Sequence, residues 1–334
     1  MSADRVQLNK NEIPASLSRP HFKTLRRYPD ARQAEIRQAA STVFRLRPEQ
    51  IVAGNGSDEI IDLIQRRFGG PNTTAVICPP TFGMYEEAAG KNWMKVRKVG
   101  LIEDFQLDVP ELKTQKAEML FLADPNNPTG NRYRDEDLRE VIESFSGLVV
   151  LDEAYVEFAG LDARNSSRIS WIQDYENLII LRTLSKAWGI AGARVGFAFA
   201  QARLIRALDE FRMPYNLGTA ATGPALRTLS DEDGLAQRAR KIQQERERLE
   251  TEFEAFELVD RVFPSEANFL LVRFKRFEEV RTWLRRQEVI VRDRSNEPGC
   301  EDCLRITVGS ASENDALIKA LQLLQSKTAN DTLI

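Results

Sequence analysis

Short apolar runs recur along the first two thirds of the chain, at Ile51-Val-Ala-Gly54, Thr74 to Cys78, Met119 to Ala123, Leu148-Val-Val-Leu151 and Asn177-Leu-Ile-Ile-Leu181, with a further strand-like run at Met94 to Val99. Their length and content are those of buried strands. Segments of helical character lie around and between them, at Ala31 to Phe44, Ile60 to Phe68, Arg134 to Ser144 and Gln201 to Arg212. Strand alternating with helix predicts βαβ units in a mostly parallel sheet. A long charged segment, residues 232 to 256, predicts a helix with a solvated face laced by i,i+4 pairs. Beyond it, Asn268 to Val272, Phe277 to Gln287, Val289 to Arg292 and Leu304 to Val308 alternate strand, helix, strand, strand before a closing helix, which predicts a smaller α/β unit.

Chemistry-bearing residues cluster just after the predicted strands, where ligands collect in open α/β sheets. Gly54-Asn-Gly56-Ser57-Asp58 opens a helix whose free N–H groups face outward, which suits an anion as well as it suits a plain N-cap. It is neither a G-x-G-x-x-G turn nor a lysine-bearing phosphate loop. Phe82 follows the strand ending at Cys78 and suits either core packing or stacking on a planar ligand. Asp124-Pro-Asn-Asn127-Pro-Thr-Gly130 makes a rigid turn with amide donors to spare. Asp152 ends an apolar run, where a carboxylate needs a cation, and Tyr155 is three residues on. The stretch Arg182-Thr-Leu-Ser185-Lys186-Ala-Trp-Gly joins a lysine to small and apolar neighbours, so its amine is expected to lose hydration and become nucleophilic. Arg194 offers a planar fork for a phosphate.

Composition narrows the chemistry. The 334 residues carry a net charge of −3 with 42% hydrophobic and 29% charged residues, an ordinary globular balance without the basic footprint of a nucleic-acid binder. No apolar run reaches membrane-spanning length and Met1 to Lys10 lacks a signal-peptide core, which makes the cytoplasm the expected compartment. Cys300-Glu-Asp-Cys303 has metal or redox spacing, but Cys78 and the single histidine, His21, are too little to complete a zinc site. No metal is expected, and the cysteines are expected as free thiols. One histidine also leaves little room for histidine triads, so the chemistry must run on lysine, carboxylates, tyrosine or a bound cofactor.

Taken in order, Tyr28-Pro-Asp, Gly54-Asn-Gly-Ser-Asp-Glu59, Pro79-Pro-Thr-Phe-Gly-Met-Tyr85, Pro125-Asn-Asn-Pro-Thr-Gly130, Leu151-Asp-Glu-Ala-Tyr155, Arg182-Thr-Leu-Ser-Lys186 and Leu304-Arg-Ile-Thr-Val-Gly309 resemble the signature of fold-type I, pyridoxal-phosphate-dependent aminotransferases, and within them the histidinol-phosphate aminotransferase family. The resemblance spans about residues 8 to 323. It implies a large domain, residues 29–232, with a mostly parallel seven-stranded sheet, and a smaller α/β domain from residues 1–28, including an N-terminal arm, and 233–334. It implies pyridoxal 5'-phosphate held by Lys186 as a Schiff base, with Lys186 moving the substrate proton and Asp152 keeping the pyridine nitrogen protonated. Asn127 and Tyr155 would bond the ring's phenolic oxygen and Phe82 would stack on the ring. Ser57, Asp58, Ser185 and Arg194 would bind the cofactor phosphate, the first two through backbone N–H, with Tyr28 reaching it from a second subunit of a homodimer. Arg305, Arg292 and, in the arm, Asn11 would contact substrate.

Two departures stand out: Phe82 where members commonly carry tyrosine, and little chain ahead of the Leu8 to Glu12 arm for a phosphate-clasping tyrosine. The implied reaction is transamination of L-histidinol phosphate with 2-oxoglutarate in histidine biosynthesis. An aromatic aminotransferase or a threonine-phosphate decarboxylase of the same fold is the alternative.

Overall fold

A computed structural model describes residues 25–160 and 166–331. Asn11, the N-terminal arm and His21 lie outside the described residues. Seven strands form the main sheet: β1 (Ile51–Asn55), β2 (Thr74–Ile77), β3 (Lys95–Lys98), β4 (Met119–Ala123), β5 (Leu148–Asp152), β6 (Leu178–Thr183) and β7 (Val195–Phe199). Their order is β1-β7-β6-β5-β4-β2-β3. All neighbours are parallel except β7, which runs antiparallel to both β1 and β6. Alternation splits the core in two. Leu120, Leu122, Val149, Leu151 and Ile180 face one helical layer. Met119, Phe121, Val150, Ile179 and Leu181 face the other. Burial on both faces is why these strands read as continuous apolar runs rather than alternating ones.

A second, antiparallel sheet has the order β10-β11-β9-β8, from β8 (Val259–Phe263), β9 (Phe269–Phe274), β10 (Arg292–Asp293) and β11 (Cys303–Thr307). The helices Glu232–Glu254, Phe277–Arg286 and Ala311–Asp331 pack on it around their own apolar cluster.

The structure departs from the sequence pattern at several elements, the helix Met84–Lys91 among them. Strand β7 was not foreseen, because it follows the lysine-bearing stretch closely and Gly192 and Gly196 interrupt its apolar pattern. Strand β8 was missed because Asp260 and Arg261 interrupt its pattern. The helix Thr219–Leu229 was missed because Gly223-Pro224 disguises it. The strand expected at Val289 to Arg292 shrinks to Arg292–Asp293, since the Val289 N–H caps the preceding helix at Leu284 O (2.9 Å) and Ile290 is left exposed. The long helix Glu232–Glu254 is also less solvated than expected. Gln243 and Arg246 turn inward, and Arg246 donates to Phe158 O (3.2 Å) and Ala267 O (2.7 Å), tying the helix to both sheets.

Helix starts show how local sequence sets this frame. Asp30 accepts from the N–H groups of Arg32 and Ala34, which nucleates the helix Ala34–Phe44. Gln33 adopts φ 57° so that its amide can pair with both backbone groups of Ala53 in β1. That fixes the helix against the strand that leads into the site.

Candidate active site

The C-terminal ends of β4, β5 and β6 converge on one cavity, lined by Phe82, Tyr85, Asn127, Asp152, Tyr155 and Lys186, with Ser57, Asp58, Ser185 and Arg194 at its outer end. The fold therefore brings together every cofactor residue expected from sequence except Tyr28. Tyr28 is 56% exposed and rests on the ring of Tyr215, centroids 5.0 Å apart.

At the inner end, Asp152 is the last residue of β5 and is 4% exposed. The Tyr85 O–H donates to its Oδ2 (2.9 Å) and the Ala154 N–H to its Oδ1 (3.1 Å). Burial pushes its pKa up to about 6, against the pull of those two donors; Asp58 adds to the rise and Lys186 opposes it. Tyr85 received no role from sequence, although it closes a quoted motif. Its three-residue spacing from Phe82 was the available signal, since that spacing places both rings on one side of a helix start. Burial and the Asp152 charge hold the Tyr85 phenol well above its usual range, so it stays a donor.

Lys186 follows β6 by way of Ser185, and its Nζ lies 5.3 Å from the centre of the Tyr155 ring. It is exposed, which corrects the expectation that apolar neighbours strip its hydration: Ala187 and Trp188 turn into the core while the lysine faces the cleft. The Tyr155 ring is held edge-on against Phe269 of β9, 5.2 Å away at 90°. Asn127 is fixed by a turn in which Asn126 bonds Pro80 O (2.9 Å) and Thr129 Oγ1 (2.7 Å). Arg305 of β11 donates to Asn127 Oδ1, which turns the amide nitrogen of Asn127 away from that contact.

The outer end is an anion cradle. The helix Gly56–Phe68 begins directly after β1, with Ser57 and Asp58 in its first turn. Arg194, at φ 52° just before β7, donates to Ser185 Oγ (3.2 Å) and Asp58 Oδ2 (3.0 Å). Two glycines make the approach possible. A Cβ on Gly56, itself at φ 79°, would sit 2.5 Å from Arg194 Nη2, and one on Gly196 would sit 2.5 Å from the Ser57 nitrogen.

The expected substrate arginines separate. Arg292 and Arg305 are cross-strand partners on β10 and β11. Arg292 is exposed, whereas Arg305 is half-buried above Phe269 (5.3 Å), its pKa lowered first by burial and then by Arg294 and Arg292. Arg294 was missed by sequence; it lies on the same strand face as Arg292, two residues on, and pairs with Glu297 (2.5 Å). Cys78, Cys300 and Cys303 are free and buried, and burial raises all three thiols, so they are not nucleophiles.

Behind the cavity a second set of charges escaped the sequence reading. Arg182 of β6 pairs with Glu153 (3.4 Å) and Glu157 (2.6 Å), and Trp188 Nε1 donates to Glu157 (2.9 Å). Ser167 Oγ and the Arg168 N–H complete Glu153.

The model of the aminotransferase class I and II family matches residues 7–321. The chain belongs to that family. Among curated class I and II relatives, it is 36% identical to the histidinol-phosphate aminotransferase of Flavobacterium psychrophilum, over 96% of this chain and 90% of the relative. It is 39% identical to that of Bacteroides fragilis, over 97% and 92%. Its fold superposes on the crystal structure of the histidinol-phosphate aminotransferase from Clostridium acetobutylicum with a TM-score of 0.85 and 25% identity, covering 92% of each chain.

Among aminotransferase residues the donor set fits pyridoxal 5'-phosphate. Asp152 is a buried carboxylate that pairs with no arginine among the described residues, which would suit a protonated ring nitrogen. Asn127 and Tyr155 line the same cavity with donors that would suit a phenolic oxygen, and the glycine-lined cradle with its arginine fork would suit a phosphate.

Proposed function

We propose that this aminotransferase transfers the amino group of L-histidinol phosphate to 2-oxoglutarate, giving imidazole-acetol phosphate and glutamate, with pyridoxal 5'-phosphate as cofactor. The observation that carries the reading is one cavity shared by Lys186 and a buried Asp152 that pairs with no arginine among the described residues, with an anion cradle at its mouth. The names of the relatives supply the substrate. The bound cofactor supplies an electron sink for the carbanion that forms beside the substrate nitrogen.

The chain's own residues do the rest. Lys186 Nζ would hold the cofactor by condensing with its aldehyde, with loss of water, and, once freed by substrate, would take and return the proton of the substrate carbon that bears nitrogen. Asp152 would keep a proton on the ring nitrogen. Asn127 Nδ2 and the Tyr155 O–H would donate to the phenolic oxygen, and Phe82 would cover one ring face by stacking alone. Ser57 and Asp58, through their backbone N–H groups, with Ser185 and Arg194, would hold the phosphate. Arg305, with Arg292 beside it and Asn11 from the arm, receives the substrate anions. The exposed Tyr28, resting on the half-buried Tyr215, supports a homodimer in which Tyr28 reaches the partner's cofactor phosphate, and the enzyme is placed in the cytoplasm; no described helix is long and apolar enough to cross a membrane.

The test is a product assay on cofactor-loaded protein. Histidinol phosphate with 2-oxoglutarate should yield glutamate and a keto-phosphate in equal amounts. A solved L-threonine-O-3-phosphate decarboxylase from Porphyromonas gingivalis shares the fold at 25% identity and a TM-score of 0.79. Carbon dioxide released from O-phosphothreonine, with no glutamate from the first mixture, overturns the assignment.

A further inference from the structure

The residue that distinguishes the inner wall of the cavity is Tyr85. It lies in the helix Met84–Lys91 and is fully buried. Its ring stacks on Phe121 of β4, centroids 5.1 Å apart and planes within 18°. The edge of Phe82 meets it at 5.6 Å and 88°. Its carbonyl accepts from Gln65 Nε2 (2.9 Å). Pinned this way, the phenol has one direction to point, and it points at Asp152 Oδ2.

We propose that Tyr85 is a positioning residue for the transamination: by donating to Asp152 it keeps that carboxylate ionised and oriented, so that the proton shared with the cofactor ring nitrogen stays on the ring. This rests on the function proposed above. Each carboxylate oxygen has one protein donor, Tyr85 O–H or Ala154 N–H, and so keeps capacity for the ring. The other charged or titratable groups that influence this pair are Asp58 from the helix Gly56–Phe68, Lys186 and Tyr155 from the loops after β6 and β5, and Tyr133 from the segment after β4. None of them donates to Asp152. A hydrogen bond to a charged acceptor is among the stronger kind. Removing it raises the proton affinity of the carboxylate, and the proton moves from ring nitrogen to Asp152. The contact with Phe82 adds a mechanical link, because the residue that covers the ring face rests on the residue that orients the acid.

Tyr85→Phe keeps the ring, its stacking and its volume, and deletes only the donor. In the loaded protein the midpoint of the visible-absorbance pH titration of the lysine-bound cofactor should move up by about one unit, since a positive charge beside the linkage is lost. Cofactor affinity of the apo protein should fall about tenfold, and kcat should fall about tenfold with KM unchanged. An unmoved titration with unmoved affinity overturns the proposal, whatever happens to stability. Should the variant fail to fold, 3,5-difluorotyrosine placed at position 85 is a stronger donor of nearly the same shape. It should move the midpoint down, and an unmoved midpoint again overturns the proposal. Wild-type protein that gains no visible absorbance on adding cofactor is a separate result, which sinks the proposed function rather than the role of Tyr85.

Discussion

Asp152 and Glu153 are adjacent, both more than nine-tenths buried, and sit where β5 ends; yet they meet opposite surroundings. Alternation along the strand sends Asp152 to the cofactor cavity and Glu153 behind it. Glu153 finds Arg182, Ser167 Oγ and the Arg168 N–H. Asp152 finds one phenol and one N–H, and no arginine among the described residues. Burial raises the pKa of both, but at Glu153 the first opposing influence is a guanidinium, while at Asp152 it is a neutral hydroxyl. A buried carboxylate without a cation is destabilising for the free chain. Its survival makes sense where a cationic ring is to arrive. The charge of Glu153 is spent inside the fold, and that of Asp152 is kept for the ligand.

That distinction is most severely tested through the residue that holds the ligand. Lys186→Ala should bind the cofactor without a covalent link and lose turnover by on the order of 10⁴ or more. Mass spectrometry after borohydride reduction and a single-turnover assay read the two effects, and full activity would detach Asp152 from any catalytic centre at this lysine.

The same contrast gives Asp152→Asn two opposite consequences. Transamination should drop by on the order of a thousandfold, because the ring loses its proton. The apo protein should become more stable. The folded-state pKa of Asp152, about 6, lies above its ordinary 3.8, so the folded chain holds an extra proton between those values. Stability from this group therefore falls as pH rises through that window and stays lower above it. Neutral asparagine escapes this, which at one unit per 1.36 kcal/mol amounts to about 3 kcal/mol at pH 8. Urea unfolding of apo protein at pH 8 and at pH 3.5 should show the gain at the first and none at the second. A loss at pH 8 would mean that the carboxylate is satisfied without a ligand.

Arg182→Met probes the other side of β5. It strands Glu153 and Glu157 without their cation and should lower stability by about 3–5 kcal/mol. With Arg182 gone, Glu153 rises further, so the deficit should grow as pH increases. In protein that remains folded, the visible titration of the cofactor should be unchanged. A shifted titration would show that the two acids behave as one network.

Much of this site was legible because ligand residues follow strands, and strands buried on both faces announce themselves as apolar runs. Asn127, Asp152, Ser185 and Lys186 were found that way, and Arg194 by its fixed offset. What stayed hidden depended on contacts between distant segments. Tyr85 lies 67 residues from Asp152, and no local pattern joins them. Arg182 reads as the start of the lysine-bearing stretch, and only the folded turn after β5 brings Glu157 to it. Strand β7 was lost because the same glycines that admit a ligand also weaken a strand signal. Arg246 was taken for one more solvated charge because a helix of alternating signs conceals which turn faces the core.

The smallest effect concerns Asp58, which is neither spent inside the fold nor kept for a cation. Its carboxylate pairs with Arg194 at 3.0 Å, with both side chains about two-fifths exposed, a pair worth little in water. It occupies part of the fork that the proposed phosphate needs. Asp58→Asn removes a negative charge beside that phosphate and also one influence that raises Asp152. Against this, the helix Gly56–Phe68 loses an acid from its first turn, about 0.3–1 kcal/mol of favourable dipole interaction. The cofactor should therefore bind about two- to fivefold more tightly while the apo protein becomes slightly less stable, as read by titration of apo protein and by thermal unfolding. Weaker cofactor binding would make Asp58 an organiser of the cradle, holding Arg194 in place, and would move it into the same category as Glu153.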